Sequence, residues 1–367
     1  MNKLKLTAAF SLSFLFVSTS LFAEHDDSAD HATDSSFLYV ELNEMGDPAE
    51  VLEVKQGVAK ELAEGEVRVE VLAAPIHPSN LLQIAGNYLT PPVLPSTPGS
   101  EGVGRVMEVS EGVEGLEQGQ LVLLAGMGTW REQIVTSAAR LIPLPNMGDL
   151  GMEAIEQLSM STINPLTAFL MLSSYADLQE GDWVVQSASN SAVGGYLIQL
   201  AKQRGIKTVN IVRREGLEDM LKAKGADVVL IDGPDLAGEI AEATSGGNVA
   251  LAVDAVGGVT YERLTQSLSE GGTIVSYGLL SGQQPTLNVS LTIGKDIRAR
   301  GFWLSKWFQT SDAATRQATL GQIIPLIASG ALKADIDSRF GVAEIKAAAT
   351  RAGERGRNGK VLIVPTK

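Results

Sequence analysis

The sequence predicts an α/β protein in which a parallel-sheet domain is inserted into a β-rich domain. Three observations support this fold class. Short β-like segments such as "EVRVEVLAA" and "GQLVLLAG", separated by turns rich in Gly and Pro, fill the first part of the chain. Apolar strand-like segments then alternate with amphipathic helical segments, which is typical of a parallel sheet covered on both faces. A last β-like segment, "KVLIV", follows near the end.

The alternation also predicts where the domains meet. We expect residues 37–160 to form the first part of the β-rich domain and residues 301–367 its second part, with the parallel-sheet domain at 161–300. Within the middle part, apolar spacing predicts helices at 192–204, 216–224, 235–244 and 259–269. The hydrophobic content of 44% is ordinary for a globular protein with a buried core.

The N-terminal segment differs from the rest of the chain. Lys3 and Lys5 precede an apolar stretch, and Ala23 provides a cleavage point, so residues 1–23 are expected to be a signal peptide. The alternatives are a membrane anchor or an overextended start codon. Residues 24–36 are predicted to be an acidic linker, or a weak metal-binding tail using its two histidines. The signal predicts export, to the periplasm, with no stable membrane span after cleavage.

Composition excludes several classes of function. A formal net charge of -14 repels phosphate backbones, so no nucleic-acid partner is expected. The chain has no cysteine, which excludes disulfides, a thiolate nucleophile and a zinc site built on Cys and His clusters. The histidines are His25, His31 and His77. We therefore expect no metal, and chemistry that relies on hydroxyls, amides, charged side chains or a bound cofactor.

The segment "VVQSASNSAVGG" at 184–195 indicates a dinucleotide site. A strand that enters a turn of small residues at a helix start exposes backbone N–H groups, and the helix dipole adds positive potential there. We expect a diphosphate to bind at this turn, with Gly194 allowing close packing of helix on strand. A plain turn without a ligand is the alternative. The residues of this predicted turn are Ser189, Asn190, Ser191, Ala192, Val193 and Gly194.

The next strand ends on two arginines, in "NIVRRE". In a dinucleotide fold this position lies near the adenosine ribose, where a carboxylate would bind a free 2'-hydroxyl. Arg213 and Arg214 stand there instead, and guanidinium groups bind phosphate bidentately. This favours NADPH as the cofactor. Glu215 keeps NADH as the alternative.

The order of these motifs resembles the medium-chain dehydrogenase/reductase superfamily, and within it the zinc-independent 2-enoyl thioester reductases related to the mitochondrial enzyme of fatty-acid synthesis. The resemblance runs from about Phe37 to the end and is carried by "APIHPSNLLQIAGNY", "LPSTPGSEGVGRV", "INPLTAFLML", "YGLLSG" and "RGFWLSKW". It implies a GroES-like β domain with an inserted Rossmann domain. It also implies NADPH-dependent reduction of the double bond of enoyl thioesters on coenzyme A or acyl carrier protein, by a homodimer.

The same resemblance implies roles for individual residues. Tyr88 would donate the proton, with a packed loop tyrosine as the alternative, and Trp303 would line the acyl pocket, with a core tryptophan as the alternative. Lys360 would lie near the adenosine 2'-phosphate, unless it makes a surface salt bridge. The remaining cofactor contacts implied are Asn164, Tyr277, Gly278, Leu279, Leu280, Phe302, Trp303, Leu304 and Ser305.

Two features depart from the family pattern. His77 and Asn80 stand in "HPSN" where members commonly read "NPSD", so His77 is either a capped loop histidine or a change in the pocket that alters acyl preference. An exported reductase would also meet little NADPH, so the protein is cytoplasmic if the signal does not function. Two other functions stay open: a quinone or enone reductase on the same scaffold, and a nonenzymatic exported binding protein.

Overall fold

The computed structural model describes residues 36–365. The predicted signal peptide, and the predicted linker up to residue 35, lie outside the described residues. Between residues 36 and 365, no helix is long and apolar enough to cross a membrane.

The strands form three sheets within the described residues. They are β1 (Ser36–Leu42), β2 (Leu52–Val58), β3 (Glu66–Pro75), β4 (Glu101–Val109), β5 (Leu121–Ala125), β6 (Gln133–Ser137), β7 (Ile142–Pro143), β8 (Trp183–Gln186), β9 (Lys207–Val212), β10 (Val228–Ile231), β11 (Val249–Asp254), β12 (Thr273–Ser276), β13 (Arg298–Gly301), β14 (Ile336–Phe340) and β15 (Lys360–Ile363).

The helices predicted at 192–204, 216–224, 235–244 and 259–269 are confirmed, each to within two residues at either end. The helices are α1 (Pro48–Val51), α2 (Pro78–Ile84), α3 (Met152–Leu158), α4 (Asn164–Ser174), α5 (Ala192–Gln203), α6 (Glu218–Lys224), α7 (Leu236–Ala243), α8 (Gly258–Ser267), α9 (Val289–Lys295), α10 (Leu304–Thr310), α11 (Ala313–Ala328) and α12 (Ile345–Gly353).

The six-stranded sheet is parallel, in the order β10-β9-β8-β11-β12-β13. The central strands β8, β9, β11 and β12 are largely buried, whereas the edge strand β13 is exposed. Successive side chains of a strand point to opposite sides, so a buried strand packs against a layer on each face. Val184 packs towards α4 and α5, whereas Val185 packs in the opposite layer with Leu236 and Leu264. The chain leaves β8 towards β9 on one side and later returns to β11 on the other. Ligands of such sheets bind at this switch point, beyond the carboxyl ends of the strands.

The larger β sheet follows the order β14-β15-β3-β4-β5-β7, with β6 also paired to β3. Its pairs are antiparallel except for β14 with β15. The late strand β15 pairs with the early strand β3 through Leu362 opposite Pro75. The parallel sheet is thus inserted into the β-rich fold, and the predicted fold class is confirmed. The exact domain limits at 160 and 300 remain a prediction.

The largest hydrophobic cluster joins the two parts of the fold. It takes Leu72, Val103 and Leu123 from the β-rich sheet and includes Val184 and Leu251 of the parallel sheet, with α3 and α4 between them. This shared core positions the carboxyl ends of the parallel strands against the β-rich domain.

Ion pairs also tie the returning segment to the rest of the fold. Arg339 of β14 holds Glu156 of α3 with N–O distances of 2.5 and 2.7 Å. Asp337 on the same strand accepts two hydrogen bonds from Arg351 of α12, at 2.8 and 2.7 Å. Bidentate pairs of this kind fix orientation as well as distance.

Candidate active site

A large cleft lies over the carboxyl ends of the parallel strands and against the β-rich domain. It encloses about 2770 Å³, well above the roughly 300–1,000 Å³ of a pocket for one small molecule. The cleft therefore has room for a dinucleotide and a second ligand together. Its lining includes every residue expected at the site except Gly194 and Arg214.

The turn between β8 and α5 forms one wall of this cleft. Ser191 is the N-cap of α5, and its hydroxyl accepts the N–H of Gly194 at 3.1 Å. The amide of Ser189 donates instead to the Ile211 carbonyl, and that of Ser191 donates to Ala188. Three of the six amides expected to grip a diphosphate are therefore already bonded within the protein.

The other three amides of this turn are free to bind a ligand. Within residues 36–365, the N–H groups of Asn190, Ala192 and Val193 have no acceptor, as expected at the start of a helix. Gly194 supports the turn in a different way, because a Cβ at that position would collide with the backbone of Ser189. A helix N-terminus with unbonded amides suits a diphosphate.

The two arginines that follow β9 differ in whether they line the cleft. Arg213 lines the cleft, is exposed, and has no ion pair among the described residues. Arg214 and Glu215 follow it but do not line the cleft. The Arg213 guanidinium at the cleft fits a phosphate group, whereas the Glu215 carboxylate that could bind a free ribose hydroxyl does not line the cleft.

Asn164, at the start of α4, provides a further sign of a ligand. Its side chain is only 6% exposed and lines the cleft, and its amide nitrogen Nδ2 has no hydrogen-bond partner. Buried polar groups without a partner are rare because leaving them unsatisfied is unfavourable. The position suits a ligand that accepts this N–H.

Residues after β12 and β13 complete the cofactor wall. Tyr277 follows β12, and burial raises the pKa of its phenol well above the usual range, so it stays protonated. Phe302 follows β13 and packs edge-on against Tyr175, with ring centroids 6.3 Å apart. The other expected residues of these two segments that line the cleft are Gly278, Leu279, Leu280, Leu304 and Ser305.

Tyr88 and Trp303 meet across the cleft. The indole Nε1 of Trp303 donates a hydrogen bond to the phenol oxygen of Tyr88 at 3.2 Å. Tyr88 follows α2 after a turn in which Gly86 has a positive φ of 74°, and Trp303 is the N-cap of α10. Residues 215 positions apart in the chain are thus brought together by the insertion of one domain in the other.

Lys360 is a buried residue at the start of β15 that lines the cleft. It is only 5% exposed, and its ammonium donates to the Ile76 carbonyl at 2.9 Å and contacts His77 Nδ1 at 3.0 Å. These contacts join it to the two residues that immediately precede α2. The alternative of a surface salt bridge is therefore wrong, because Lys360 is buried, whereas its expected place near the adenosine 2'-phosphate stays a prediction.

Glu101 and Thr162 form a further buried contact that the sequence did not predict. The carboxylate of Glu101 lies 2.8 Å from His77 Nε2, and its other oxygen accepts the N–H and the hydroxyl of Thr162, both at 2.8 Å. The signal in the sequence was an acid in the otherwise small and apolar stretch "GSEGVG". Charged residues are almost never fully buried without a partner, so that acid predicts a buried contact.

Two family models match the chain. The alcohol dehydrogenase GroES-like domain matches residues 63–146, and the zinc-binding dehydrogenase family matches residues 192–319. Among residues 36–365 there is no group of three or more His, Cys, Asp or Glu side chains that could hold a metal ion.

Similar proteins and structures agree with these matches. Mitochondrial enoyl-[acyl-carrier-protein] reductases are 40% identical over 275 residues (Rattus norvegicus; 71% of either chain) and 37% identical over 313 residues (Homo sapiens; 83% of this chain and 82% of the relative). The mitochondrial 2-enoyl thioester reductase Etr1p/Etr2p heterodimer from Candida tropicalis has a TM-score of 0.80 at 29% identity, over 90% of this chain and 99% of its own.

Two further structures have the same fold. An Etr1p complex with NADP and crotonyl-CoA has a TM-score of 0.80 at 28% identity, and a protein described as an NADPH:quinone reductase from Bacillus thuringiensis has 0.81 at 30% identity. Both cover 90% of this chain and 99% of their own. The chain belongs to the medium-chain dehydrogenase/reductase superfamily, in the family of the mitochondrial-type 2-enoyl thioester reductases.

Proposed function

We propose that this oxidoreductase reduces the C2–C3 double bond of trans-2-enoyl thioesters, carried on coenzyme A or acyl carrier protein, with NADPH as reductant and Tyr88 as proton donor. The relatives named above support the substrate class, and the Etr1p complex contains both NADP and crotonyl-CoA. The observation that carries the proposal is the hydrogen bond from Trp303 to Tyr88 at the wall of the cleft.

The chain offers a separate group for each part of the cofactor. The free amides of Asn190, Ala192 and Val193 would hold the diphosphate, Arg213 the 2'-phosphate, and Asn164 Nδ2 the nicotinamide ribose or carboxamide. When bound, NADPH supplies the hydride that a conjugated double bond accepts at its β-carbon. Each of these protein groups is unbonded among the described residues, so ligand binding breaks no internal contact.

In this proposal Tyr88 completes the reduction. Its phenol oxygen accepts the Trp303 N–H, so its own O–H proton is left to point into the cleft. Negative charge develops on the α-carbon and the thioester oxygen of the substrate, and the phenol neutralises it by giving up that proton. The indole N–H then hydrogen-bonds the oxygen that has become negative. A donor fixed in advance stabilises such charge without reorganisation.

The same cleft has an apolar portion for the acyl chain. Phe302 and Trp303 are accompanied there by Phe308, Leu320 and Ile324 of α10 and α11. Apolar side chains from two helices provide area for burying methylene groups, each worth about 0.8 kcal/mol.

Replacing Tyr88 by Phe tests the proposal. We expect Tyr88→Phe to lower kcat for crotonyl-CoA with NADPH by about 10²–10⁴-fold, the usual contribution of a general acid. The matched control is Tyr39→Phe, because Tyr39 lies on β1 and does not line the cleft. Full turnover by the Tyr88 variant would refute the assignment of the proton donor.

A quinone or enone reductase is the second candidate, because the Bacillus thuringiensis structure matches as well as Etr1p does. The two functions separate in one assay of the same preparation with crotonyl-CoA, a longer enoyl thioester and a quinone. Preference for the quinone, with Tyr88→Phe fully active on it, would establish the second candidate in place of the first.

We further propose a homodimer that pairs the exposed edge of the six-stranded sheet. The edge strand β13 has no neighbour on one side within the described residues, and Ile293 of the adjacent α9 is 81% exposed. Unpaired strand edges and exposed apolar side chains are typical of interfaces. Light scattering should give the mass of a dimer for the native chain and of a monomer for Ile293→Glu. A monomeric mass for the native chain would refute the proposed homodimer.

Export is a separate proposal, supported by the N-terminal sequence pattern alone. Fractionation of cells that express the full chain, with NADPH-binding activity measured in each fraction, tests it. Recovery of an uncleaved active protein in the cytoplasm would show that the signal does not function and would remove the conflict with NADPH supply.

A further inference from the structure

A chain of buried hydrogen bonds joins the start of β15, the residue before α2 and the start of β4, and it reaches the cleft. The Lys360 ammonium lies 3.0 Å from His77 Nδ1, and His77 Nε2 lies 2.8 Å from Glu101 Oε1. The side chains of Lys360, His77 and Glu101 are all at least nine-tenths buried. The Glu101 carboxylate ends the chain on the N–H and hydroxyl of Thr162.

The hydrogen-bonding capacities of Lys360 and Glu101 determine which nitrogen of His77 carries the proton. When Lys360 is charged, its ammonium can only donate, so His77 Nδ1 accepts and the ring proton is on Nε2. From there it donates to the Glu101 carboxylate, which can only accept when ionised. A neutral His77 thus connects a buried cation to a buried anion, and each end of the connection is satisfied. Buried charges without such pairing would be strongly unfavourable.

One donor of this chain is left for a ligand. The Lys360 ammonium has three N–H groups, two of which are used by Ile76 and His77. Lys360 lines the cleft, as does His77, and within residues 36–365 its third N–H has no acceptor. A cation held at two points, with its third donor free at a cleft wall, is suited to an oxygen atom of a bound ligand.

Burial and the neighbouring charges together set the pKa of Lys360. Burial lowers the pKa of Lys360 to about 7; Glu101 acts against that change, and Arg357 adds to it. Burial and the adjacent Lys360 both lower the pKa of His77, which keeps its ring neutral, while Glu101 raises it. Tyr196 of α5 also lies close to Glu101 and is fully buried, and Glu101 and Asp335 add to the effect of burial in raising its pKa.

We propose that His77 is a positioning residue of this site, which joins Lys360 to Glu101 and so holds the lysine ammonium charged and directed at an oxygen of the bound cofactor. This rests on the proposed function only in taking NADPH as the ligand. The proposal also gives a role to the histidine of "HPSN", whose imidazole ring accepts at one nitrogen and donates at the other.

Histidine NMR on the full chain tests the first part of the proposal. The chain has three histidines, and the signals of His77 are identified by their loss in His77→Gln. We expect the ¹⁵N shifts of His77 to show a neutral ring with the proton on Nε2 at neutral pH. In Lys360→Met the pKa of His77 should rise, because the neighbouring positive charge is removed. A protonated ring, or a proton on Nδ1, would overturn the proposal.

Cofactor binding tests the second part, with two substitutions at the same position. His77→Leu removes both hydrogen bonds, whereas His77→Gln provides an amide that accepts and donates at about the same reach. We expect His77→Leu to weaken NADPH binding about tenfold at pH 7, the loss of one charge-assisted hydrogen bond. His77→Gln should restore most of the affinity.

The dependence of binding on pH separates positioning from general stability. In the native chain NADPH affinity should fall as pH rises through the pKa of Lys360, because the ammonium loses its charge. His77→Leu should move this fall to lower pH, since the charged lysine loses its acceptor, and His77→Gln should not. Equal shifts in both variants, or none in either, would overturn the proposal. Both readouts are independent of enoyl turnover, so they do not fail merely because the proposed reaction does.

Discussion

Arg213 gives the sharpest prediction about cofactor choice. Arg213→Ala removes the guanidinium that lines the cleft at the end of β9, where the 2'-phosphate would lie. A charge-assisted hydrogen bond contributes about 1.5–3 kcal/mol. Because Arg213 is exposed and its field is screened by solvent, we expect the lower part of this range, about 1.5–2 kcal/mol, which is about 10–30-fold in Kd. NADH has no 2'-phosphate, so its affinity should change little.

The neighbouring arginine supplies the matched control. Arg214→Ala removes the same charge one residue later, outside the cleft lining, so NADPH affinity should change less than about threefold, the effect of a distant screened charge. Titration of the cofactor's own fluorescence gives Kd for both reduced cofactors with each variant, at fixed ionic strength. An equal loss of NADH and NADPH affinity in Arg213→Ala would refute the reasoning, as would an equal loss in the two variants.

Three further predictions concern the turn, the proton donor and the returning segment. Gly194→Ala should destabilise the fold by about 1–3 kcal/mol through overpacking, whereas Gly195→Ala, which meets only the flexible end of a lysine side chain, should stabilise it by up to about 1 kcal/mol; urea unfolding measures both. Trp303→Phe should lower kcat about tenfold by removing one donor to the phenol, while Trp307→Phe should not; steady-state kinetics decides. Asp337→Asn should lower Tm at pH 7, because Arg351 on α12 holds the pKa of Asp337 below the usual range and so stabilises the folded carboxylate. The difference in Tm between variant and native chain should shrink as pH falls below about 3.9, where the native carboxylate begins to lose this advantage.

Much of the fold was accessible from the sequence because its signals are local. The amphipathic segments at 192–204 and 235–244 carry the helical period within themselves, and the structure places helices there. Apolar segments between them predict a sheet covered on both faces. Pairing of β15 with β3 is different, since it joins segments almost three hundred residues apart, and no local pattern specifies which strands become neighbours.

In the site, too, some features follow from local sequence and others depend on tertiary contacts. The small-residue turn and the arginine pair follow directly from local sequence, but which amides are free depends on tertiary contacts such as Ser189 with Ile211. Only the folded chain shows that Arg213 reaches the cleft and Arg214 does not. The contacts of Lys360 could not be predicted for the same reason: its partners Ile76 and His77 lie at distant positions in the sequence, and burial of a lysine at the start of β15 has no sequence signature of its own.

The core shared by the two sheets constrains how such an enzyme can diversify. Leu72 and Val103 belong to the same cluster as Val184 and Leu251, so a mutation in this shared core affects the packing of both halves of the protein at once. Selection for a new acyl length therefore has little freedom there. Lineages that adapt to other substrates should instead accumulate changes at the exposed rim, at positions such as Leu89 and Leu280, where side chains can vary without disturbing the packing beneath.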